Sequence, residues 1–271
     1  MSAWVNGRRR STLDHRDRGL QYGDGLFETM RVRQRSIRLL DYHLERLSAG
    51  CRRLAIAAPE GHRLRRELER MASGRTDGIL KLIVTRGSGP RGYRATGREH
   101  ATRIATLHAL PKGISAAAVR VRLCLAPVSM NAHLAGLKTL GRLDSVLARA
   151  EWRNARVWEG LMSDPDGNWV CGTMSNLFVR RGALLATPLL DRCGVAGVMR
   201  RWVLEHAASV GLRVEQRRIR TEDLMSAEEV FMSNAVVGIR SVSAIERTPS
   251  GTMRTTSMDA AGRLRARLDL L

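Results

Sequence analysis

Between residues 41 and 110 the apolar positions of this chain change period, and that change limits the folds open to it. Leu44, Leu47, Cys51 and Leu54 recur at helical spacing, with Asp41 placed as N-cap, and Leu64, Leu68 and Met71 repeat the pattern over roughly 59–72. Residues 78–85 and 102–110 instead read as strands, separated by an Arg/Gly loop. Ahead of them, Trp4-Val5-Asn6-Gly7 looks like a strand entering a turn, 14–19 is a polar loop, and 20–32 is glycine-punctuated and then strand-like. Helices lying between strands make this half α+β.

Pro111-Lys112-Gly113-Ile114-Ser115 carries the linker signal. Beyond it, 119–125 alternates as a strand, and a helix is expected over 140–153 on Leu143, Val146, Leu147 and Ala150. Strands are expected near 159–163, 169–171, 176–180 and 184–186, a helix over 197–210 and a buried strand over 229–235. The expected organisation is a small N-terminal α+β domain (1–112), a linker (113–118) and a larger C-terminal α/β domain (119–271). With 271 residues, 44% of them hydrophobic, the chain can bury a full core, and no apolar run reaches membrane-spanning length. The N-terminus lacks a signal-peptide pattern. Cys51, Cys124, Cys171 and Cys193 show neither a CxxC pair nor metal-ligand spacing, so a reduced cytoplasmic protein without a metal site is expected.

The formal charge is +20, yet the arginines are dispersed, aromatic residues are 4% of the chain and no nucleic-acid motif occurs. A basic nucleic-acid-binding role is therefore the disfavoured alternative, although a field of this sign draws small anions towards a cleft. Only three of the 46 basic residues are lysines: Lys81, Lys112 and Lys138. Arginine stays protonated, whereas a lysine amine can be tuned into a nucleophile, so amine chemistry here has three candidates. Lys81 lies on one face of an apolar strand, Lys112 in a solvated turn, and Lys138 at a loop-to-helix junction. Spacing alone favours reading Lys138 as a surface lysine capping a helix.

Six motifs occur in a telling order: Tyr22-Gly23-Asp24-Gly25-Leu26-Phe27-Glu28-Thr29; His43-x-x-Arg46; Arg86-Gly87-Ser88-Gly89-Pro90-Arg91-Gly92-Tyr93; Asn131-Ala132-His133-Leu134-Ala135-Gly136-Leu137-Lys138; Gly172-Thr173-x-Ser175-Asn176-Leu177-Phe178; and Gly194-Val195-Ala196-Gly197-Val198-Met199-Arg200. Together they resemble the class IV, or fold type IV, pyridoxal-phosphate enzymes along nearly the whole chain. The fourth motif and the Arg-Gly-Ser-Gly loop are most similar to the family's aminodeoxychorismate lyases. The resemblance implies a two-domain fold like that of D-amino-acid aminotransferase, with pyridoxal 5'-phosphate at the domain interface, and a homodimer. It implies lysis of 4-amino-4-deoxychorismate to pyruvate and 4-aminobenzoate, a step of folate synthesis. A D-amino-acid or branched-chain aminotransferase of the same fold is the alternative.

Residue by residue, the resemblance makes Lys138 the Schiff-base lysine and proton carrier, and Thr29 a pocket hydroxyl able to relay a proton. It assigns the phosphate to Arg46, to the backbone N–H groups of Val198 and Met199 at a helix start, and to Asn234 and Ala235 after the last buried strand. Thr173, Ser175 and Asn176 fall at cofactor positions. Arg86, Arg91, Tyr93 and Arg31 are the candidates for the substrate's two carboxylates. Two positions depart from the family. Cys171 stands where a glutamate usually pairs with the protonated pyridine nitrogen, and a neutral thiol is a poor partner for that charge. The departure favours elimination over transamination, because aromatisation needs the ring less as an electron sink. Gly141 stands where the lyases commonly have Asn.

Overall fold

Two strands with strict alternation build the N-terminal half of the structure, a computed structural model describing residues 3–10, 12–111, 117–247, 251–255, 257 and 259–270. The chain divides into one unit of Met1–Ile114 with Leu137–Gly141 and another of Ser115–Gly136 with Arg142–Leu271. Lys112 and most of the expected linker, 113–118, lie outside the described residues.

The first unit contains β1 (Ala3–Val5), β2 (Arg8–Arg9), α1 (Arg18–Tyr22), β3 (Gly25–Arg33), β4 (Ser36–Ile37), α2 (Leu40–Arg53), α3 (Gly61–Ser73), β5 (Asp77–Thr85) and β6 (Thr102–His108). Its six strands form an antiparallel sheet in the order β2-β1-β6-β5-β3-β4. Along β3 and β5 every second residue is buried. Leu26, Met30, Val32, Leu80, Leu82 and Val84 join Leu47, Cys51, Leu64 and Leu68 of α2 and α3 in one core, each large side chain contributing about 1.5–3 kcal/mol. The intervening residues Phe27, Thr29, Arg31, Ile79, Lys81 and Ile83 are half-buried on the opposite face. Helix α2 corrects the expected cap: Leu39, in the left-handed region at φ 56°, is the N-cap, and Asp41 sits in the first turn, where its charge suits the helix dipole.

Residues 137–141 do not run into a helix at 140, as the spacing predicted. They run extended beside the first residues of β3, with a bridge between Leu26 and Thr139. Phe27 N donates to Lys138 O (3.0 Å), and Leu140 N to Gly25 O (3.1 Å). The two-residue β4 pairs only with Val32 and Arg33 of β3, so this segment occupies a length of edge that β4 leaves open.

The second unit contains β7 (Val119–Leu123), α4 (Leu143–Ala150), β8 (Val157–Ser163), β9 (Trp169–Gly172), β10 (Asn176–Arg181), β11 (Leu184–Pro188), α5 (Val198–His206), a 3-10 turn (Ala207–Val210), β12 (Arg213–Arg217), α6 (Thr221–Met225), β13 (Glu229–Asn234), β14 (Gly238–Arg247), β15 (Gly251–Arg254) and α7 (Asp259–Leu268). Because β9 pairs with both β8 and β10, the path β10-β13-β14-β7-β8-β9 closes on itself, a mixed barrel-like sheet. Val121, Leu161, Leu177, Val230, Met232 and Val242 fill its core. Helix α4 begins at Leu143, later than expected, and its apolar stripe faces outward: Leu143, Val146 and Leu147 are 76%, 60% and 63% exposed.

Candidate active site

In the first unit, alternation on β3 sends Glu28 inward, where it is buried between two residues one helical turn apart on α2. His43 Nδ1 donates to Glu28 Oε2 (2.6 Å), and the Arg46 guanidinium donates to both carboxylate oxygens, one contact measuring 2.8 Å. Burial alone would raise the Glu28 pKa, but the Arg46 charge and the His43 hydrogen bond outweigh it and hold the carboxyl at about 2. Burial likewise lowers the His43 pKa, aided by the charges of Arg46 and Lys138. The imidazole is thus neutral, with Nδ1–H committed to Glu28, and its buried Nε2 has no hydrogen-bond partner among the described residues. Lys138 Nζ lies 4.1 Å from the centroid of the Phe27 ring. A single strand therefore carries the aromatic floor of the amine and, on its other face, the acid that orients the histidine.

The first and third motifs meet at Asp24. This carboxylate accepts from Arg18 Nε (3.0 Å) and from Arg86 Nε and NH2 (2.7 and 3.1 Å). Burial pushes the Asp24 pKa up, but the two guanidiniums bring it below the usual range. Arg86 also donates to the carbonyls of Leu54 and Ala55, and Arg18 to those of Gly92 and Tyr93. Arg86 was expected to meet a substrate carboxylate; every nitrogen of its guanidinium is instead committed to bracing the loop. That bracing leaves Arg91 and Tyr93 exposed, the Tyr93 ring edge-on to Tyr22 at 5.4 Å. Gly87, at φ 97°, has a backbone that only a residue without Cβ accommodates, since a Cβ would stand 1.9 Å from His100 O. Arg31 is paired with Asp77 (2.9 Å), while Thr29 is half-buried on the face shared with Phe27.

The second unit places a buried carboxylate that the sequence did not single out. Glu159, on β8, is fully buried and accepts from Gly160 N, Thr173 N, Thr173 Oγ1 (2.6 Å), Met174 N and Ser175 Oγ (2.7 Å). Thr173 and Ser175, read as cofactor positions, direct their hydroxyl protons to Glu159 and shape the turn. Cys171, half-buried on β9, is paired in register with Asn176. Burial first, then the Glu159 charge, pushes its thiol up to about 12, so it is neutral. The neighbouring Arg142 has its pKa lowered by burial, partly offset by Cys171.

Asn176 gathers the remaining positions. Its Nδ2 donates to Val195 O (2.8 Å), its Oδ1 would lie 2.1 Å from a Cβ at Gly197, and Ser233 is its cross-strand partner. Gly197 is the N-cap of α5 and provides no side-chain cap. Val198 and Met199 are the first residues of that helix. Asn234 Oδ1 accepts from Val236 N and Val237 N, which closes the turn after β13. The Ser233 hydroxyl is buried without a hydrogen-bond partner among the described residues. Sequence reasoning missed Glu159, Ser233 and the Glu28–His43 pair. For Glu28 a signal existed, since it interrupts an otherwise apolar inward face. At Gly141 a Cβ would meet open space. Among the described residues no cluster of His, Cys, Asp and Glu has metal-binding geometry, and no helix is long and apolar enough to cross a membrane.

The first unit thus holds Glu28, His43 and Arg46 together and sets Lys138 over Phe27, and the second holds an uncapped helix start at Gly197. The family described as amino-transferase class IV matches residues 25–245, and the chain belongs to it. Among solved structures, 4-amino-4-deoxychorismate lyase from Pseudomonas aeruginosa is 42% identical with a TM-score of 0.91, covering 98% of this chain and 97% of that one. The aminodeoxychorismate lyase of Vibrio harveyi is 32% identical over 246 residues, 89% of this chain and 90% of the relative. A hypothetical aminotransferase from Mycobacterium tuberculosis, solved in PLP-bound form, shares the fold with a TM-score of 0.84 at 19% identity, covering 99% and 98%.

Proposed function

We propose that the chain is a pyridoxal-phosphate-dependent 4-amino-4-deoxychorismate lyase, releasing pyruvate and leaving 4-aminobenzoate. The observation that carries this reading is the placement of Lys138: in a chain almost without lysine, this amine stands over Phe27, the strand neighbour of the Glu28 that orients His43. The residues present fit the cofactor. The start of α5 without a side-chain cap and the unpartnered Ser233 hydroxyl supply donors for a phosphate in the second unit. When bound, the cofactor supplies an aldehyde for a primary amine and a conjugated ring that takes up an electron pair.

Lys138 provides the amine for that aldehyde. In the second unit Val198, Met199, Asn234 and Ala235 would hold the phosphate; in the first, the resemblance gives Arg46 a phosphate role, and Glu28 fixes its orientation. Glu159 shapes the turn at 173–175, and Cys171, which stays un-ionised, is the residue that would meet the ring nitrogen. With substrate in place, Lys138 removes the proton from the amine-bearing carbon. The electron pair of that C–H bond enters the six-membered ring, and the bond from ring carbon to the enolpyruvyl oxygen breaks. The oxygen takes a proton, for which Thr29 is the relay, and leaves as pyruvate while the ring becomes aromatic. Arg91, Tyr93 and Arg31 remain the motif-derived candidates for the carboxylates.

The reading includes a homodimer in a reducing, cytoplasmic setting. The exposed Leu143, Val146 and Leu147 of α4 support the first, since an apolar stripe of this kind calls for cover. Four free cysteines support the second. The test is turnover of 4-amino-4-deoxychorismate by the purified protein, with borohydride reduction and peptide mapping. Pyruvate and 4-aminobenzoate in equal amounts, a label on Lys138 and loss of both on Lys138→Ala are expected. A label on Lys81 or Lys112, or consumption of a keto acid in place of pyruvate release, would refute the reading.

A further inference from the structure

Towards the β1–β2 edge of the first sheet, away from β3, lies a groove of about 440 Å³, within the roughly 300–1,000 Å³ typical of small-molecule sites. The sheet supplies one wall. Trp4 on β1 is the direct cross-strand partner of Arg9 on β2 and of Ala105 on β6, so these side chains and that of Leu107 share one face. The end of α3 and the residues after it supply the other wall, with Arg70, Met71 and Arg75. This is the core face of the sheet, since Ala105 belongs to the core and Trp4 and Leu107 pack against it. Phe27, with Lys138 over its ring, stands on the opposite face.

The groove is apolar at its floor and positive at its rim. Met71 is buried and Trp4 and Leu107 are half-buried, whereas Arg9, Arg70 and Arg75 are exposed. No acid lines it. The acids nearby on α3 and β5 answer other cations: Glu67 pairs with Arg103, Glu69 with Arg65 and Asp77 with Arg31. Among the described residues no ion pair or hydrogen bond engages the guanidinium of Arg70 or of Arg75. Two uncommitted guanidiniums above an indole and two aliphatic side chains match a molecule with a flat ring at one end and a carboxylate at the other. The ring covers Trp4 and Leu107, and the carboxylate takes the arginine N–H groups. A bare inorganic anion would satisfy the rim and leave the floor wet.

We propose that this groove is a second ligand site, that it takes small aromatic carboxylates, and that its occupant is 4-aminobenzoate, the product of the reaction proposed above. The choice of occupant rests on the lyase reading; the chemical class rests on the groove alone. The site gives the product a place on the chain away from Lys138, on residues that belong to none of the six motifs.

Calorimetry of the holoenzyme with 4-aminobenzoate tests this against the double variant Arg70→Gln/Arg75→Gln, whose two changes fall on exposed side chains. The parent should bind two molecules per chain, one at the active site and one in the groove. In the variant the groove Kd should weaken about tenfold or more, while KM for 4-amino-4-deoxychorismate stays as it was. Arg70→Lys/Arg75→Lys, which keeps the charge, should recover part of the loss. 4-Aminobenzamide, with the same ring and no charge, should bind the groove at least about tenfold more weakly than 4-aminobenzoate. A single molecule bound per chain, or the same stoichiometry and Kd in the glutamine variant, would overturn the proposal. So would equal binding of the amide, or displacement by inorganic phosphate at equal concentration, because the groove would then read either the ring or the charge alone. If the parent enzyme releases no pyruvate yet loses 4-aminobenzoate binding in the glutamine variant, the lyase reading fails and the aromatic carboxylate site stands.

Discussion

Replacing Glu159 with Gln tests whether a buried acid shapes the turn at 173–175. Oε1 accepts from Gly160 N, Thr173 N and Thr173 Oγ1, and Oε2 from Met174 N and Ser175 Oγ. Glutamine keeps one oxygen and turns the other into a donor. Placed at the Oε2 position, its NH2 faces the Met174 N–H, while the Ser175 hydroxyl can rotate to accept. One buried N–H is then left unsatisfied, at about 1–3 kcal/mol, and the three remaining bonds lose charge assistance at roughly 0.5–1 kcal/mol each. The side chain packs against Gly172, whose missing Cβ makes room for it: a Cβ there would lie 2.8 Å from Glu159 Cδ. Relief from burying a charge offsets part of the loss, leaving a net destabilisation of about 3 kcal/mol. Urea unfolding followed by tryptophan fluorescence reads it directly, since Trp158 and Trp169 flank the site on β8 and β9. The urea midpoint should fall with an unchanged slope. A variant within about 0.5 kcal/mol of the parent would refute the reasoning and reduce Glu159 to a passive filler.

Acid should destabilise the first unit in two stages. Native His43 resists protonation relative to its ordinary 6.5, so the unfolded chain binds the extra proton and stability begins to fall below that value. Native Glu28, held at about 2 against an ordinary 4.5, adds a second loss as pH drops from 4.5 towards 2. Urea midpoints measured from pH 8 to 3 check this, and a Glu28→Gln variant should lack the lower stage; a midpoint flat down to pH 4 would contradict the burial of the pair. Cys171→Glu should raise transamination relative to lysis by restoring a carboxylate where the thiol now sits, and an unchanged product ratio would show that the thiol does not bias the reaction.

Alternation made β3 and β5 legible in the sequence, because a half-buried strand writes its two faces into successive residues. The motif order pointed to Lys138 and Arg46 as members of one site. What the sequence hid was pairing over distance. Leu143, Val146, Leu147 and Ala150 repeat at helical spacing, and the helix they form is real, but the spacing carries no information on whether that stripe is covered. Nor does local pattern reveal that 137–141 lies along β3, more than a hundred residues earlier in the chain. Glu159 looked like one acid in an ordinary strand; its role depends on a turn more than ten residues later folding over it. Asp24 shows the same limit, since only the fold reveals that it joins the first and third motifs.

The strip 137–141 carries a lesson for anyone dividing this enzyme. By chain order it falls among residues of the C-terminal half, yet it finishes the edge of the N-terminal sheet and holds the amine. A fragment cut at the apparent boundary would keep Phe27, Glu28, His43 and Arg46 but lose both Lys138 and the backbone that protects β3 from pairing with strangers. Chimaeras built from two relatives must therefore move this short ribbon together with residues 1–114, or the graft receives a pocket whose key was left in the donor.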